Sequence, residues 1–274
     1  MDECFGKKYI LNGRLEDAHS FDNSLVYEGN SIYEVIRMIN NSPVFFMDHM
    51  ERLLSGVRNR NKIMPADVAN LKRNIIRLSE ADPQNEVNLK IVFNYNRDSV
   101  NYLLYYVKPV YPSEKQYREG VRGILCYAER KNPGLKVINH KLRSSIFHKL
   151  ILEEAHEALL VNVKGQITEG SRSNIFFIRK NTLVTAPAHM VLSGITRKQI
   201  LDICHTINIP VELNCVEADR ISDYEAVFMT GTSPVVLPFS QIDGTLFNTM
   251  VPVMEELRIL YMERAKESIK QFHF

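Results

Sequence analysis

Two periodicities share this chain, and their order limits what it can fold into. Stretches that read as strands, such as Asn88–Tyr95 and Asn101–Val107, are interleaved with stretches whose apolar residues recur at helical spacing, such as Met47, Met50, Leu53, Leu54 and Val57. Strand and helix do not alternate strictly, as a repeated strand–helix–strand unit requires, so the expected class is α+β. Pro109 and Pro112 interrupt all periodicity. They divide the chain into a small α+β N-terminal domain (1–110), an interdomain linker (111–120) and a larger C-terminal α+β domain (121–274).

Within the first domain the reading is a short strand over 8–13 ending in an Asn12-Gly13 hairpin turn, then a β-rich segment at Ser31–Asn40. Val44–Phe46 reads as a buried strand. Helices are expected over Met47–Val57 and over Ala66–Ser79, the latter opened by Pro65 and Asp67. The second domain reads as strands at Val121–Glu129, Glu157–Val163, Ile175–Ile178 and Tyr224–Thr230. Helices are expected at Ser144–His156, Ile195–His205 and Thr249–Ser268.

Composition narrows the function classes. Lys and Arg number 34 against 32 Asp and Glu, a net charge of +2, which supplies no strong field for a nucleic-acid backbone. No apolar stretch approaches the roughly 20 residues of a membrane span, and the acidic start Met1-Asp2-Glu3-Cys4 is not a secretory signal. Cys4, Cys126, Cys204 and Cys215 show neither C-x-x-C nor zinc spacing, so free thiols in a cytoplasmic protein are expected. The histidines include no H-E-x-x-H, which disfavours a metalloenzyme.

Four short segments are over-specified for ordinary turns: Asp48–Leu53, Ile167–Asn174, Ser193–Arg197 and Thr230–Pro234. Ser193-Gly194-Ile195-Thr196-Arg197 runs from a turn into a helix, presenting unpaired N–H groups at the positive end of the dipole beside hydroxyls. That is a site for a phosphate; the plainer alternative is N-capping by Ser193, or by Thr196 with Gln199. Thr230–Pro234 follows a strand and can wrap the same anion through backbone amides. Arg52 offers a guanidinium that matches phosphate geometry, or is a surface arginine. Glu169 is a carboxylate suited to a protonated ring nitrogen, or is a hairpin glutamate beside Gly170.

Together these segments resemble the class IV aminotransferase family, the fold-type IV pyridoxal-phosphate enzymes that include branched-chain and D-amino-acid aminotransferases and aminodeoxychorismate lyase. The likeness spans nearly the whole chain. It runs from Glu28-Gly29-Asn30-Ser31-Ile32-Tyr33-Glu34-Val35, through His49-x-x-Arg52-Leu53 and Thr168-Glu169-Gly170-Ser171-x-Ser173-Asn174-Ile175-Phe176, to Gly231-Thr232. It implies a two-domain, D-amino-acid aminotransferase-like fold, pyridoxal 5'-phosphate as cofactor, and amino-group exchange between an amino acid of branched-chain or D type and a 2-oxo acid. It also implies a homodimer. On the matching positions, Arg52, Ile195, Thr196 and Thr232 form the phosphate cradle, and Ser233 flanks substrate and phosphate. Glu169 partners the ring nitrogen, Leu192 lies under the ring, and Tyr33 faces the substrate.

The family's Schiff-base lysine lies in a pattern like Ile-Lys-x-Leu-Asn ahead of Thr-Glu-Gly. Here the region reads Lys136-Val137-Ile138-Asn139-His140-Lys141-Leu142-Arg143. Lys141, just before the helix at Ser144–His156, is the candidate, although its distance to Glu169 is shorter than the family's by about one helical turn. Lys136 is the alternative. A third possibility is a homologue that binds the cofactor without a catalytic lysine, and within enzymes the alternative chemistry is lyase-type β-elimination. The D-amino-acid subgroup's Arg-x-His pair is absent from Asn96–Val100, so substrate identity stays open.

Overall fold

In a computed structural model of the protein the described residues are 3–97, 99–130, 133–137 and 140–272, the side chains of His140 and Lys141 excepted. Strands β1 (Phe5–Leu11) and β2 (Arg14–Asp17) are joined by Asn12 and Gly13, whose φ angles of 50° and 81° match a turn of the hairpin-favouring mirror type. The chain divides into two compact units, Met1–Val110 with Leu135–Ile138 and Arg264–Phe274, and Tyr111–Gly134 with Asn139–Glu263.

The first unit is built on a six-stranded sheet in the order β2-β1-β6-β5-β3-β4, with β3 at Asn30–Ile39, β4 at Ser42–Pro43, β5 at Glu86–Tyr95 and β6 at Val100–Val107. β3 and β5 stay in antiparallel register from Asn30↔Tyr95 to Ile39↔Glu86. Along β3 the two-residue period sends Ile32, Ile36 and Met38 into one core and Tyr33 into another. Because the sheet is buried on both faces, β5 is buried at every position after Glu86.

Helix α1 (Ser24–Tyr27) is short. α2 (Phe46–Arg58) lays Phe46, Met50, Leu53 and Val57 against the first core, and α3 (Val68–Ala81) adds Leu71, Ile75 and Leu78. The expected strand at Val44–Phe46 is absent. Phe45 instead adopts φ 51° as the residue before α2, and Phe46 is the first helical residue, so apolar burial here reflects helix packing.

The second unit holds the longer sheet, in the order β12-β11-β10-β14-β15-β7-β8-β9-β13 with β16 paired to β15. Its elements are α4 (Glu114–Glu119), β7 (Val121–Tyr127), α5 (His140–Leu152), β8 (Glu157–Val161), β9 (Gln166–Gly170), β10 (Asn174–Arg179), β11 (Thr182–Thr185), α6 (Ile195–Thr206), β12 (Val211–Leu213), β13 (Val216–Glu217), β14 (Ala226–Thr230), β15 (Leu237–Ile242), β16 (Thr245–Leu246) and the start of α7 (Pro252–Phe272). β7 and β8 run parallel, and α5 packs on them through Ile146 and Leu150.

Two sequence expectations shift. Residues 114–119, inside the expected linker, form α4, opened by a Ser113–Gln116 capping box. α5 begins at His140 rather than Ser144, so the Lys141 backbone lies in its first turn.

The side chain of Asp67 accepts the Asn70 N–H at 2.6 Å and caps α3. Asp67→Ala should therefore cost ~1 kcal/mol in urea unfolding; an unchanged midpoint would show that the cap contributes nothing.

Candidate active site

In the second unit the site grows from β9. Glu169 lies on this strand, which the sequence reading did not include, and is buried. One carboxylate oxygen accepts the Leu192 N–H at 3.0 Å, and the other accepts from Arg130 Nη1 at 3.2 Å. Both partners are donors, the complement of an anionic carboxylate. A cleft of about 120 Å³ is lined by Arg130, Thr168, Glu169, His189 and Met190, among others.

The Leu192 peptide is held from both sides, since its carbonyl accepts from Asn174 Nδ2 at 3.0 Å. Two residues on, Gly194 is the N-cap of α6 and has no side-chain capping bond. Neither Ser193 nor Thr196 therefore fills the N-cap position, and the first N–H groups of a 12-residue helix lie beyond the reach of intrahelical acceptors. A side chain at Gly194 is excluded, because a Cβ there would sit 2.0 Å from Asn174 Oδ1.

Asn174 also joins this helix start to the next loop, being the strand partner of Thr230 at the end of β14. Thr230 Oγ1 is buried without a hydrogen-bond partner, and Gly231, Thr232 and Ser233 follow it directly. A helix N-terminus with glycine at its N-cap, beside an orphaned hydroxyl, fits a phosphate, and an anionic acceptor at Glu169 fits a protonated ring nitrogen. The donor set thus suits pyridoxal phosphate.

Not every residue of the Thr168–Asn174 segment serves a ligand. The Ser171 and Ser173 hydroxyls donate to the buried Glu157 carboxylate at 2.5 and 2.8 Å, joined by the Ala158 and Ser171 N–H groups. Those serines are there to satisfy a buried acid.

In the first unit Glu34, one of the inward positions of β3, is almost wholly buried. Arg52 grips it bidentately, Nε to Oε1 at 2.7 Å and Nη2 to Oε2 at 2.6 Å, and His49 Nδ1 lies 2.8 Å from Oε2. His49 and Arg52 stand one turn apart on α2, which aims both at the same strand residue. Burial pushes the Glu34 carboxyl up, but the Arg52 charge and hydrogen bonds, with those of His49, reverse this and hold it at about 2. Burial lowers the His49 imidazole, only partly offset by Glu34.

On the other face of β3, Tyr33 is buried, with Lys136 Nζ 5.1 Å and Lys90 Nζ 5.3 Å from its ring centroid. The Tyr33 N–H donates to the Lys136 carbonyl at 3.3 Å, and Val137 bridges Ile32, so the Lys136 backbone is tied to the edge of β3.

The structure thus brings Glu169 together with Leu192, and sets Ile195 and Thr196 at the start of the helix that follows. Thr232 and Ser233 lie just past Thr230, Arg52 joins Glu34 and His49, and Tyr33 joins Lys136. The side chain of Lys141 lies outside the described residues. Arg97 is exposed in the turn after β5. Sequence reasoning gave no role to Arg130, Glu34 or His49. For Glu34 a signal was present: a carboxylate at an inward strand position, between Ile32 and Ile36, requires a partner. No comparable signal marks Arg130. Among the described residues no cluster of three or more His, Cys, Asp or Glu is arranged to hold a metal ion, and no helix is long and apolar enough to cross a membrane.

Comparison with known proteins bears on the same residues. The sequence model of the family described as amino-transferase class IV matches residues 31–242. The chain is 26% identical over 260 residues to a D-alanine aminotransferase of Bacillus licheniformis, covering 89% of this chain and 92% of that one. Its fold is similar to that of a branched-chain aminotransferase from Thermoproteus uzoniensis solved with norvaline, with a TM-score of 0.84, 22% identity, and coverage of 98% and 97%. It is also similar to the branched-chain aminotransferase of Thermobaculum terrenum in its PLP form, with a TM-score of 0.81, 20% identity, and coverage of 98% and 97%. The expected α+β class and its relation to these enzymes are both met.

The Glu34 cluster sets an acid limit on stability. With the folded carboxyl at about 2 against an ordinary 4.5, its contribution is full above pH 4.5 and is lost as pH falls toward 2. That loss amounts to roughly 3 kcal/mol. His49 adds an earlier loss below its ordinary 6.5, because the unfolded chain takes up that proton more readily. Unfolding free energy followed against pH should show both, and Glu34→Gln should remove the component between pH 4.5 and 2. An identical acid slope in the variant would contradict the assignment.

Proposed function

The chain belongs to the class IV amino-transferase family, and from that premise we propose that this aminotransferase works with pyridoxal 5'-phosphate attached through Lys136. The amino donor and acceptor are an amino acid, of branched-chain or D type, and a 2-oxo acid.

The observation that carries the lysine assignment is the position of Lys136. Its carbonyl is bonded to the Tyr33 N–H, and its ammonium lies over the ring of the residue expected to face substrate. Starting from Lys136 rather than Lys141 lengthens the segment to Glu169 by five residues, which removes the shortfall of one helical turn. Leu135-Lys136-Val137-Ile138-Asn139 also follows the Ile-Lys-x-Leu-Asn pattern with aliphatic exchanges only. Residue 141, by contrast, has its backbone inside the first turn of α5.

When bound, the cofactor supplies an electron-withdrawing ring that accepts the electron pair left as the substrate's α-proton departs. The residues of the chain do the rest. The N–H groups of Ile195 and Thr196, with Thr232 and Ser233, bind the phosphate, and Arg52 adds a fixed positive charge. Glu169 accepts a hydrogen bond from the ring nitrogen and keeps the proton there, while Arg130 and the Leu192 N–H hold the carboxylate in place. Leu192 supports the ring from below. The Lys136 amine takes up the α-proton and returns it, and Tyr33 covers the reacting group from water.

The same reading includes a cytoplasmic homodimer. Four free cysteines suit a reducing compartment. Phe147, Ile151 and Leu152 of α5 are exposed while Ile146 and Leu150 are buried, and the exposed three suit burial against a second copy. Sedimentation should report a dimer; a fully active monomer would contradict it.

Borohydride reduction of the protein loaded with pyridoxal phosphate, followed by peptide mapping, tests the lysine. The label should fall on Lys136, and Lys136→Ala should lose it together with amino transfer, whereas Lys141→Ala should keep it. A label on the peptide carrying Lys141 would overturn the assignment.

A further inference from the structure

We propose that Glu34 and His49 are positioning residues that fix which edge of the Arg52 guanidinium meets the phosphate; this rests on the reading of Arg52 given under Proposed function. The Nε–Nη2 edge of Arg52 is committed to Glu34, at 2.7 and 2.6 Å. The remaining N–H bonds lie on Nη1 and the outer side of Nη2, and their direction is set by the grip on the first edge. His49 in turn holds the Glu34 carboxylate from one helical turn earlier on α2.

Exposure orders the three groups. Glu34 and His49 side chains are 1% and 5% exposed, while Arg52 is 12% exposed, so the guanidinium is the outer member of the cluster. An apolar trio of similar volume would hold β3 to α2 at least as well as a buried ion pair does, so stability alone does not account for it. What the cluster adds is order. Arginine has several freely turning bonds, and fixing them before a ligand arrives removes that entropy from the cost of binding.

Charge and geometry make opposite predictions here. Glu34 carries −1 and Arg52 +1, and burial disfavours the charged form of His49. Replacing Glu34 by the isosteric, neutral glutamine therefore makes the cluster more positive. If Arg52 acted only as a charge, phosphate affinity would rise. If its edge must be aimed, affinity falls.

The experiment compares two ligands, pyridoxal phosphate and pyridoxal, by equilibrium ultrafiltration on the full chain. Glu34→Gln and His49→Gln should each weaken pyridoxal phosphate about 10-fold, the low end of what loss of an outer partner costs at metal sites, and leave pyridoxal within about twofold. The preference for the phosphorylated ligand is the readout, since a merely structural role would lower both affinities together. Arg52→Ala should lose most of that preference, and adding Glu34→Gln to it should cost nothing more. Glu34→Asp, which keeps the charge but withdraws it by one methylene, should fall between wild type and Glu34→Gln, and with His49→Gln carries the test if Glu34→Gln does not fold.

Unchanged or tighter phosphate binding in Glu34→Gln would overturn the inference, as would equal losses for both ligands or additive losses in the double variant. If Arg52→Ala keeps the phosphate preference, the reading of Arg52 itself has failed, and that arm reports it separately.

Discussion

A carboxylate buried to the last percent of its surface persists as an anion only where donors replace the water it has lost. Glu34 is such a group, and the first unit is arranged around its compensation. α2 must cross β3 so that positions one turn apart both reach the same strand residue. This fixes the angle at which Met50 and Leu53 enter the core beside Ile32 and Ile36.

The second unit meets the same requirement twice, in different ways. Glu157 is surrounded by backbone N–H groups and serine hydroxyls, neutral donors that leave the site closed. Glu169 accepts from the Leu192 N–H and the Arg130 guanidinium, and its strand opens on a cleft. The three acids divide the labour: Glu34 orients a cation, Glu157 holds a turn, and Glu169 offers an acceptor. Under the proposed function the last arrangement has a use, because a ring nitrogen must be kept protonated for the ring to draw electrons.

Much of this was legible in the sequence, for local reasons. The hairpin at Asn12-Gly13, the helix expected over Met47–Val57 and the helix from Ile195 announce themselves through turn chemistry and spacing. The segments proposed to bind phosphate stand out because glycine and hydroxyl residues cluster where a strand ends or a helix begins. What escaped has a common cause: its meaning depends on groups distant in the chain. Val44–Phe46 looks like a strand because it is apolar, but its burial comes from α2 and a positive φ at Phe45. The serines after Glu169 have no role in the sequence reading, and the buried Glu157, 14 residues away from Ser171, accounts for them. Arg130 sits in a charged stretch that reads as solvated, and only β9 shows what it faces. α5 starts at His140 rather than Ser144, so Lys141 belongs to its first turn instead of preceding it.

The acceptor role of Glu169 is tested most directly by the nitrogen-15 resonance of ring-labelled pyridoxal phosphate bound to the protein. A shift characteristic of a protonated ring nitrogen is expected in the wild type, moving to the neutral position in Glu169→Gln with the phosphorus resonance unchanged. A neutral nitrogen in the wild type, or a protonated one that ignores the substitution, would contradict the role assigned to this carboxylate.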